Sequence, residues 1–194
     1  GRKVVLFEKD EIGGTCLNVG CIPTKTLLRS AKAYGDCKEA DRYGVSVSAP
    51  VLDMKAVQER KRQVVATLKK GVGSMLKAAG VEVVKGQARI AGRGRVAVEG
   101  QEFEATNILV ATGSVPAAPP IPGLRESAAV LDSTGILDLE EIPASLVIIG
   151  AGVIGLEFAC FFAEFGTQVT VVEMLDRIAP VVDEEIAKKL QSEL

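Results

Sequence analysis

Leu146-Val147-Ile148-Ile149-Gly150-Ala151-Gly152-Val153-Ile154-Gly155 is the stretch that decides the fold. An apolar run is followed at once by G-x-G-x-x-G, and residues 150–166 then read as a helix. Residues 168–173 read as the next strand and end on Glu173. Strand, glycine loop, helix, then a strand with a terminal carboxylate is a βαβ opening of the dinucleotide-binding kind. The first glycine permits a tight turn, the second lets backbone approach a pyrophosphate, and the third lets helix and strand pack closely. The pyrophosphate is expected at the helix N-terminus, where unpaired N–H groups and the helix dipole favour negative charge. Gly150, Gly152, Ile154 and Gly155 are therefore candidate nucleotide-binding residues. Glu173 can accept hydrogen bonds from a ribose diol and repels a 2′-phosphate, which favours NAD over NADP. Arg177, a single cation four residues on, does not reverse that preference. A further helix is expected from Asp183.

Upstream, a second unit of the same kind is visible. Residues 3–8 form an apolar run ending on Glu8, as a buried parallel strand would. The glycine loop Ile12-Gly13-Gly14-Thr15 follows, then a helical stretch over residues 15–40 with Pro23 as a kink or restart. Residues 53–79 read as a long helix with Asp53 as N-cap, Gly80 as stop, and apolar positions at Val57, Val64, Val65, Leu68, Val72, Met75 and Leu76. Strands are expected at 81–84, 88–90, 95–98 and 106–110. The stretch 115–123 carries Pro116, Pro119, Pro120 and Pro122 and reads as a linker. The expected class is α/β, two Rossmann-like dinucleotide-binding domains, both incomplete: residues 1–117 and residues 118–194.

Thr15-Cys16-Leu17-Asn18-Val19-Gly20-Cys21-Ile22-Pro23-Thr24-Lys25 carries the chemistry. C-x4-C is not the usual zinc spacing, and no histidine exists to complete a metal site. Two ordinary buried cysteines would leave the glycines around the pair unexplained, since glycines let backbone approach a flat cofactor. A helix beginning beside the pair would stabilise thiolate, the form that exchanges with disulfides. Cys37 and Cys160 lack that setting and are expected to be ordinary packing residues.

These motifs, in this order, resemble the pyridine nucleotide-disulfide oxidoreductases. The wording of Leu17-Asn18 and Ile22-Pro23-Thr24-Lys25 looks most like the dihydrolipoamide dehydrogenase group. The resemblance covers essentially the whole chain. It extends to Ala111-Thr112-Gly113-Ser114, which matches a strand-end motif against the flavin nucleotide, and to Gly150 through Leu156-Glu157. It implies FAD and NAD as cofactors, Cys16 as the thiol that exchanges with a lipoyl sulfur, and Cys21 as the thiol against the flavin. It implies Lys25 near the flavin, paired with Glu157 as a buried ion pair between the two domains. Glu8, Lys9, Gly13, Gly14 and Thr15 would contact the flavin nucleotide, the backbone near Ala88 its adenine, and Val153 would cover the flavin face where nicotinamide docks. The implied partners are lipoyl domains of 2-oxo acid dehydrogenase complexes or of the glycine cleavage system, with a second copy of the chain in a homodimer.

Composition bounds the remainder. The formal net charge is -2, with no basic surface for nucleic acid and no block of like charge. No apolar run approaches the roughly 18 residues that span a bilayer. The opening Gly1-Arg2-Lys3-Val4 does not read as a signal peptide, so a cytoplasmic location is expected. The four cysteines are then not a disulfide framework. Histidine and tryptophan are absent, so no histidine base is available. The resemblance implies a base from a C-terminal interface domain, and that domain, the first flavin-binding βα unit and the rest of the NAD domain are expected to lie outside this sequence. The chain is thus expected to be a fragment, inactive alone. A mercuric- or glutathione-type reductase, or a non-catalytic truncated binding module, are the competing expectations.

Overall fold

The computed structural model describes residues 2–194. Two parallel strand pairs, each bridged by helices, carry the architecture. Strand β1 (Val5–Glu8) is followed by helices α1 (Gly14–Val19), α2 (Cys21–Lys38) and α3 (Met54–Ala78), and then by β2 (Glu82–Lys85). β1 and β2 pair in parallel, with Val5 opposite Glu82 and Glu8 opposite Lys85. In the second half, β6 (Ser145–Ile149), α4 (Val153–Glu164) and β7 (Gln168–Val172) form the expected βαβ unit, and α5 (Glu184–Glu193) follows. Its register runs from Ser145 opposite Gln168 to Ile149 opposite Val172. Between the units, β3 (Ala88–Gly92), β4 (Arg95–Val98) and β5 (Gln101–Glu104) form an antiparallel meander. No helix among the described residues is long and apolar enough to cross a membrane.

Local sequence explains the helix ends. Asp53 accepts a hydrogen bond from the Ala56 N–H at 3.0 Å, the cap expected of it, and Gly80 follows the helix at φ +70°. Asp183 caps α5 by accepting from the N–H groups of Glu185 and Ile186. The stretch over residues 15–40 breaks into two helices at Gly20, not at Pro23. A Cβ on Gly20 would lie 2.9 Å from the Thr15 carbonyl oxygen, so this crossing of chain segments needs glycine. Pro23 sits in the first turn of α2, where its missing N–H costs nothing.

Two further expectations change. Residues 106–110 form no strand, and Leu109 is 91% exposed. A strand needs a neighbour for its N–H and C=O groups, and none lies alongside among the described residues. The strand forms earlier, at 101–104, because Glu99 and Gly100 both take positive φ and fold β5 back on β4 as a tight hairpin. On α3, Leu68 and Met75 are exposed, whereas Met54, Gln58 and Lys61 are the buried positions.

The main core lies where α2 meets α4. Leu27 and Ala31 of α2, Met54 of α3 and Leu137 pack with Phe158, Phe161 and Phe162. Phe161 stacks edge-on against both Phe162 and Phe165, at 5.0 and 5.2 Å between ring centres. A second cluster joins Ala151 and Leu156 to Ala179. Phe161 is almost fully buried. Phe161→Ala should therefore destabilise the fold by about 3–5 kcal/mol, read from denaturant unfolding. Cys160→Ser, its exposed neighbour, should change stability by less than about 0.5 kcal/mol.

Candidate active site

The break at Gly20 places the two cysteines on different helices. Cys16 lies in α1, and Cys21 is the first residue of α2. Both are free thiols and solvent-exposed. The loop before them is fixed by Asn18, whose side-chain amide donates to the carbonyls of Gly14 at 3.0 Å and Ile12 at 3.1 Å. Lys69 pairs with Glu11 at 3.0 Å, and Lys85 donates to the Asp10 carbonyl. Sequence wording draws attention to Asn18 only as part of a motif. Its structural task is to brace the turn from which Cys16 projects.

Electrostatics separates the two sulfurs. A hydrogen bond with the Cys21 side chain holds the Cys16 thiol above its ordinary pKa, with desolvation adding to the shift. The backbone N–H groups of Cys21 and Ile22, at the start of α2, pull the other way. The expected preference of the pair for thiolate is thus not met at Cys16. The neighbouring thiol outweighs the helix terminus there.

One turn along α2 from Cys21, on the same face, stands Lys25. Its ammonium donates to Glu157 Oε1 of α4 at 2.5 Å. The Lys25 pKa is raised, chiefly by that hydrogen bond, with smaller contributions from the negative charge of Glu157, Cys21 and Cys16; partial desolvation opposes it. The pair is therefore formed as expected but is not buried, since the Lys25 side chain is 60% exposed. The cause is its position at the open edge of the α2–α4 seam, beyond the aromatic core. An exposed pair of this kind contributes only about 0–1 kcal/mol.

The glycine loop also has the geometry its motif implies. A Cβ on Gly155 would lie 2.3 Å from the Gly150 carbonyl oxygen, so only glycine allows that approach. Glu173 Oε2 accepts from the Ala151 N–H at 2.7 Å, and its Oε1 accepts from the Leu175 N–H at 2.9 Å. The backbone N–H groups of Leu175 and then Ala151 hold its carboxyl below the usual carboxylate range. Arg177 donates to the Pro180 carbonyl at 2.9 Å. Gly152 is the N-cap of α4, and Val153 and Ile154 present half-exposed side chains beside the loop.

In the first unit, Glu8 Oε1 accepts from the Asp10 N–H at 2.8 Å, and its carbonyl accepts from the Gly86 N–H at 2.9 Å. The end of β1 thereby meets the turn leading to Ala88. Lys9, Gly13, Gly14 and Thr15 follow Glu8 along an exposed rim. Gly113 approaches Thr15, with a Cβ built on it 3.7 Å from the Thr15 hydroxyl. Ala111, Thr112, Gly113 and Ser114 are exposed beside it. The structure thus brings Cys16, Cys21, Lys25 and Glu157 together, Glu8 with the approach to Ala88, Thr15 with Gly113, and Gly150 through Gly155 with Glu173. Cys37 and Cys160 are both exposed, not packed as expected, although partial burial still raises the Cys160 thiol above its ordinary pKa.

Comparison with known proteins turns on how much of the chain follows one pattern. The model of the pyridine nucleotide-disulphide oxidoreductases matches residues 1–194. The chain belongs to that family. Among curated relatives, the dihydrolipoyl dehydrogenase of Acholeplasma laidlawii is 44% identical, over 96% of this chain and 56% of its own length. A dihydrolipoyl dehydrogenase of Bacillus subtilis is 44% identical, over all of this chain and 43% of its own. The chain therefore spans about half the length of these relatives. Among solved structures, the HOCl-induced flavoprotein disulfide reductase RclA from Escherichia coli is 35% identical with a TM-score of 0.83, covering all of this chain and 41% of that one. Within this family member, the coupling of the two thiols is directly measurable. In Cys21→Ala, the pH midpoint for alkylation of Cys16 should fall, because the largest cause of its raised pKa has been removed. Mass spectrometry of reduced protein alkylated across a pH series checks this, and an unchanged or higher midpoint contradicts it.

Proposed function

We propose that this chain carries the redox centre and nucleotide sites of a dihydrolipoyl dehydrogenase. The observation that carries the proposal is the meeting of Cys16, Cys21 and Lys25 at the α1–α2 break, with Glu157 brought to it by the glycine-loop helix. Identity of 44% to dihydrolipoyl dehydrogenases over essentially the whole chain supports that substrate over other disulfides. The residues present fit two dinucleotides. Glu8, Lys9, Gly13, Gly14, Thr15, Lys25, Ala88 and residues 111–114 would hold FAD. Gly150, Gly152, Val153, Ile154, Gly155, Glu157 and Glu173 would hold NAD, with the tight Gly155–Gly150 approach leaving the loop open to a pyrophosphate. Held there, FAD would supply a two-electron acceptor beside the dithiol, and NAD would supply the hydride acceptor for the reduced flavin.

In the oxidised state Cys16 and Cys21 would be joined. A lipoyl thiolate attacks Cys16 Sγ, the Cys16–Cys21 bond breaks, and Cys21 leaves as thiolate. The second lipoyl thiolate then displaces Cys16, closing the cyclic disulfide and leaving both cysteines reduced. Lys25, one turn from Cys21 and fixed in its charged form by Glu157, stabilises that leaving thiolate. A base outside this chain takes the proton of the incoming dithiol, because the chain has no histidine. Residues 1–117 would form the flavin-side domain and residues 118–194 the nicotinamide-side domain. A cytoplasmic homodimer serving lipoyl domains of 2-oxo acid dehydrogenase complexes or of the glycine cleavage system is the corresponding setting.

The test is steady-state oxidation of dihydrolipoamide by the full-length protein. Wild type should reduce NAD far faster than NADP, and Cys16→Ser or Cys21→Ser should each lower the rate by more than about a thousandfold. Turnover that survives either substitution would overturn the assignment.

A further inference from the structure

The ion pair between Lys25 and Glu157 is exposed, and pairs of this kind hold little. The apolar seam packs α4, which carries the glycine loop, on α2, which carries Cys21, and buried polar contacts on α3 add directional ties between the two halves. Buried polar side chains that reach from one half to the other lie on α3. Gln58 is 1% exposed, and its side-chain amide donates to the carbonyls of Leu137 at 3.0 Å and Leu139 at 2.6 Å. Lys61 is 4% exposed, and its ammonium donates to the Leu137 carbonyl at 2.7 Å and to Asp138 Oδ1 at 2.6 Å. These contacts bridge 76 to 81 positions of sequence.

Burying an ammonium and a primary amide is costly unless their donors are paired. Both side chains direct donors at one short turn, the 3-10 helix Gly135–Asp138, and Gln58 Oε1 is buried without a partner. Hydrophobic side chains here would leave the Leu137 and Leu139 carbonyls without these donors, so Gln58 and Lys61 hold the turn by directional bonds that packing alone does not supply. The strap is tied at its other end too. The Thr167 hydroxyl donates to the Pro143 carbonyl at 2.8 Å, and the Gln168 N–H to the Ala144 carbonyl at 3.0 Å, at the start of β7. Residues 137–144 are thus held to α3 at one end and to the second βαβ unit at the other, with Leu137 buried against Phe158, Phe161 and Phe162.

We infer that Gln58 and Lys61 are positioning residues: through the strap 137–144 they set the placement of the glycine-loop unit on the dithiol unit. They touch neither the cysteines nor the glycine loop. They act by fixing the strap, which rests on the proposed dehydrogenase function only for its catalytic consequence.

The experiment compares wild type with Lys61→Met in the full-length protein, using two readouts. Amide hydrogen exchange should rise across 137–144 and stay unchanged in β1 and α2. Reduction of the bound flavin by NADH should slow by about tenfold to a hundredfold, as expected for a displacement near 1 Å. Alkylation of Cys16, which involves the first unit alone, should keep its wild-type rate. Unchanged exchange in the strap overturns the inference, as does faster exchange with undiminished reduction by NADH. An equal fall in NADH reduction and in Cys16 integrity, with a lower unfolding temperature, also overturns it, because that is general loss of structure. Should Lys61→Met fail to fold, Gln58→Met removes two of the four contacts and is judged on the same outcomes. If wild type itself is not reduced by NADH, the dehydrogenase assignment falls, while the exchange data still decide the strap.

Discussion

The packing of α2 on α4 is the constraint on which the rest depends. Leu27 and Ala31 meet Phe158, Phe161 and Phe162 in a buried apolar seam. The two helices come from different βαβ units and bear different chemistry. α2 begins at Cys21 and presents Lys25 one turn later, and α4 begins behind the glycine loop and presents Glu157. The apolar seam is what lets those short polar segments face one another. The ion pair is a consequence of that seam and not its cause, since it sits at the solvent edge.

A second constraint acts within the dithiol segment. Gly20 passes so close to the Thr15 carbonyl that a side chain has no room, and the chain turns there from α1 into α2. That turn sets two cysteines five positions apart on adjoining helices, and the neighbouring Cys21 thiol holds the Cys16 thiol above its ordinary pKa. It also sets the start of a helix beside them, so N–H groups and a neighbouring thiol compete for the charge on Cys16. Lys25 adds a fixed positive charge on the same face. The two sulfurs thereby occupy unlike positions, Cys16 within α1 and Cys21 at the start of α2.

Much of this was legible in the order of residues. Glycine spacing, the carboxylates ending β1 and β7, and the Asp53 cap depend on interactions within a few residues or on a motif with a fixed geometry. Lys25–Glu157 was accessible only through family resemblance, because nothing local joins positions 132 apart. The polar clamp of Gln58 and Lys61 is not legible in the sequence, because a helical pattern assigns apolar side chains to the core. Here the buried face of α3 begins with Met54 and then turns polar, while Leu68 and Met75 face solvent. Residues 106–110 carry strand-like composition but lack a neighbour to pair with, and composition cannot supply one. For Cys37 and Cys160, residue type suggests burial, but the position on the helix leaves both exposed.

Under the proposed function the two sulfurs have separate tasks, with Cys21 presented to the flavin and Cys16 to the substrate. Stepwise anaerobic reduction of the full-length protein, followed by absorption spectroscopy, tests this most directly. A long-wavelength thiolate-to-flavin band should appear in wild type, persist in Cys16→Ser and be absent in Cys21→Ser. A band that survives Cys21→Ser, or vanishes only in Cys16→Ser, would contradict the assignment.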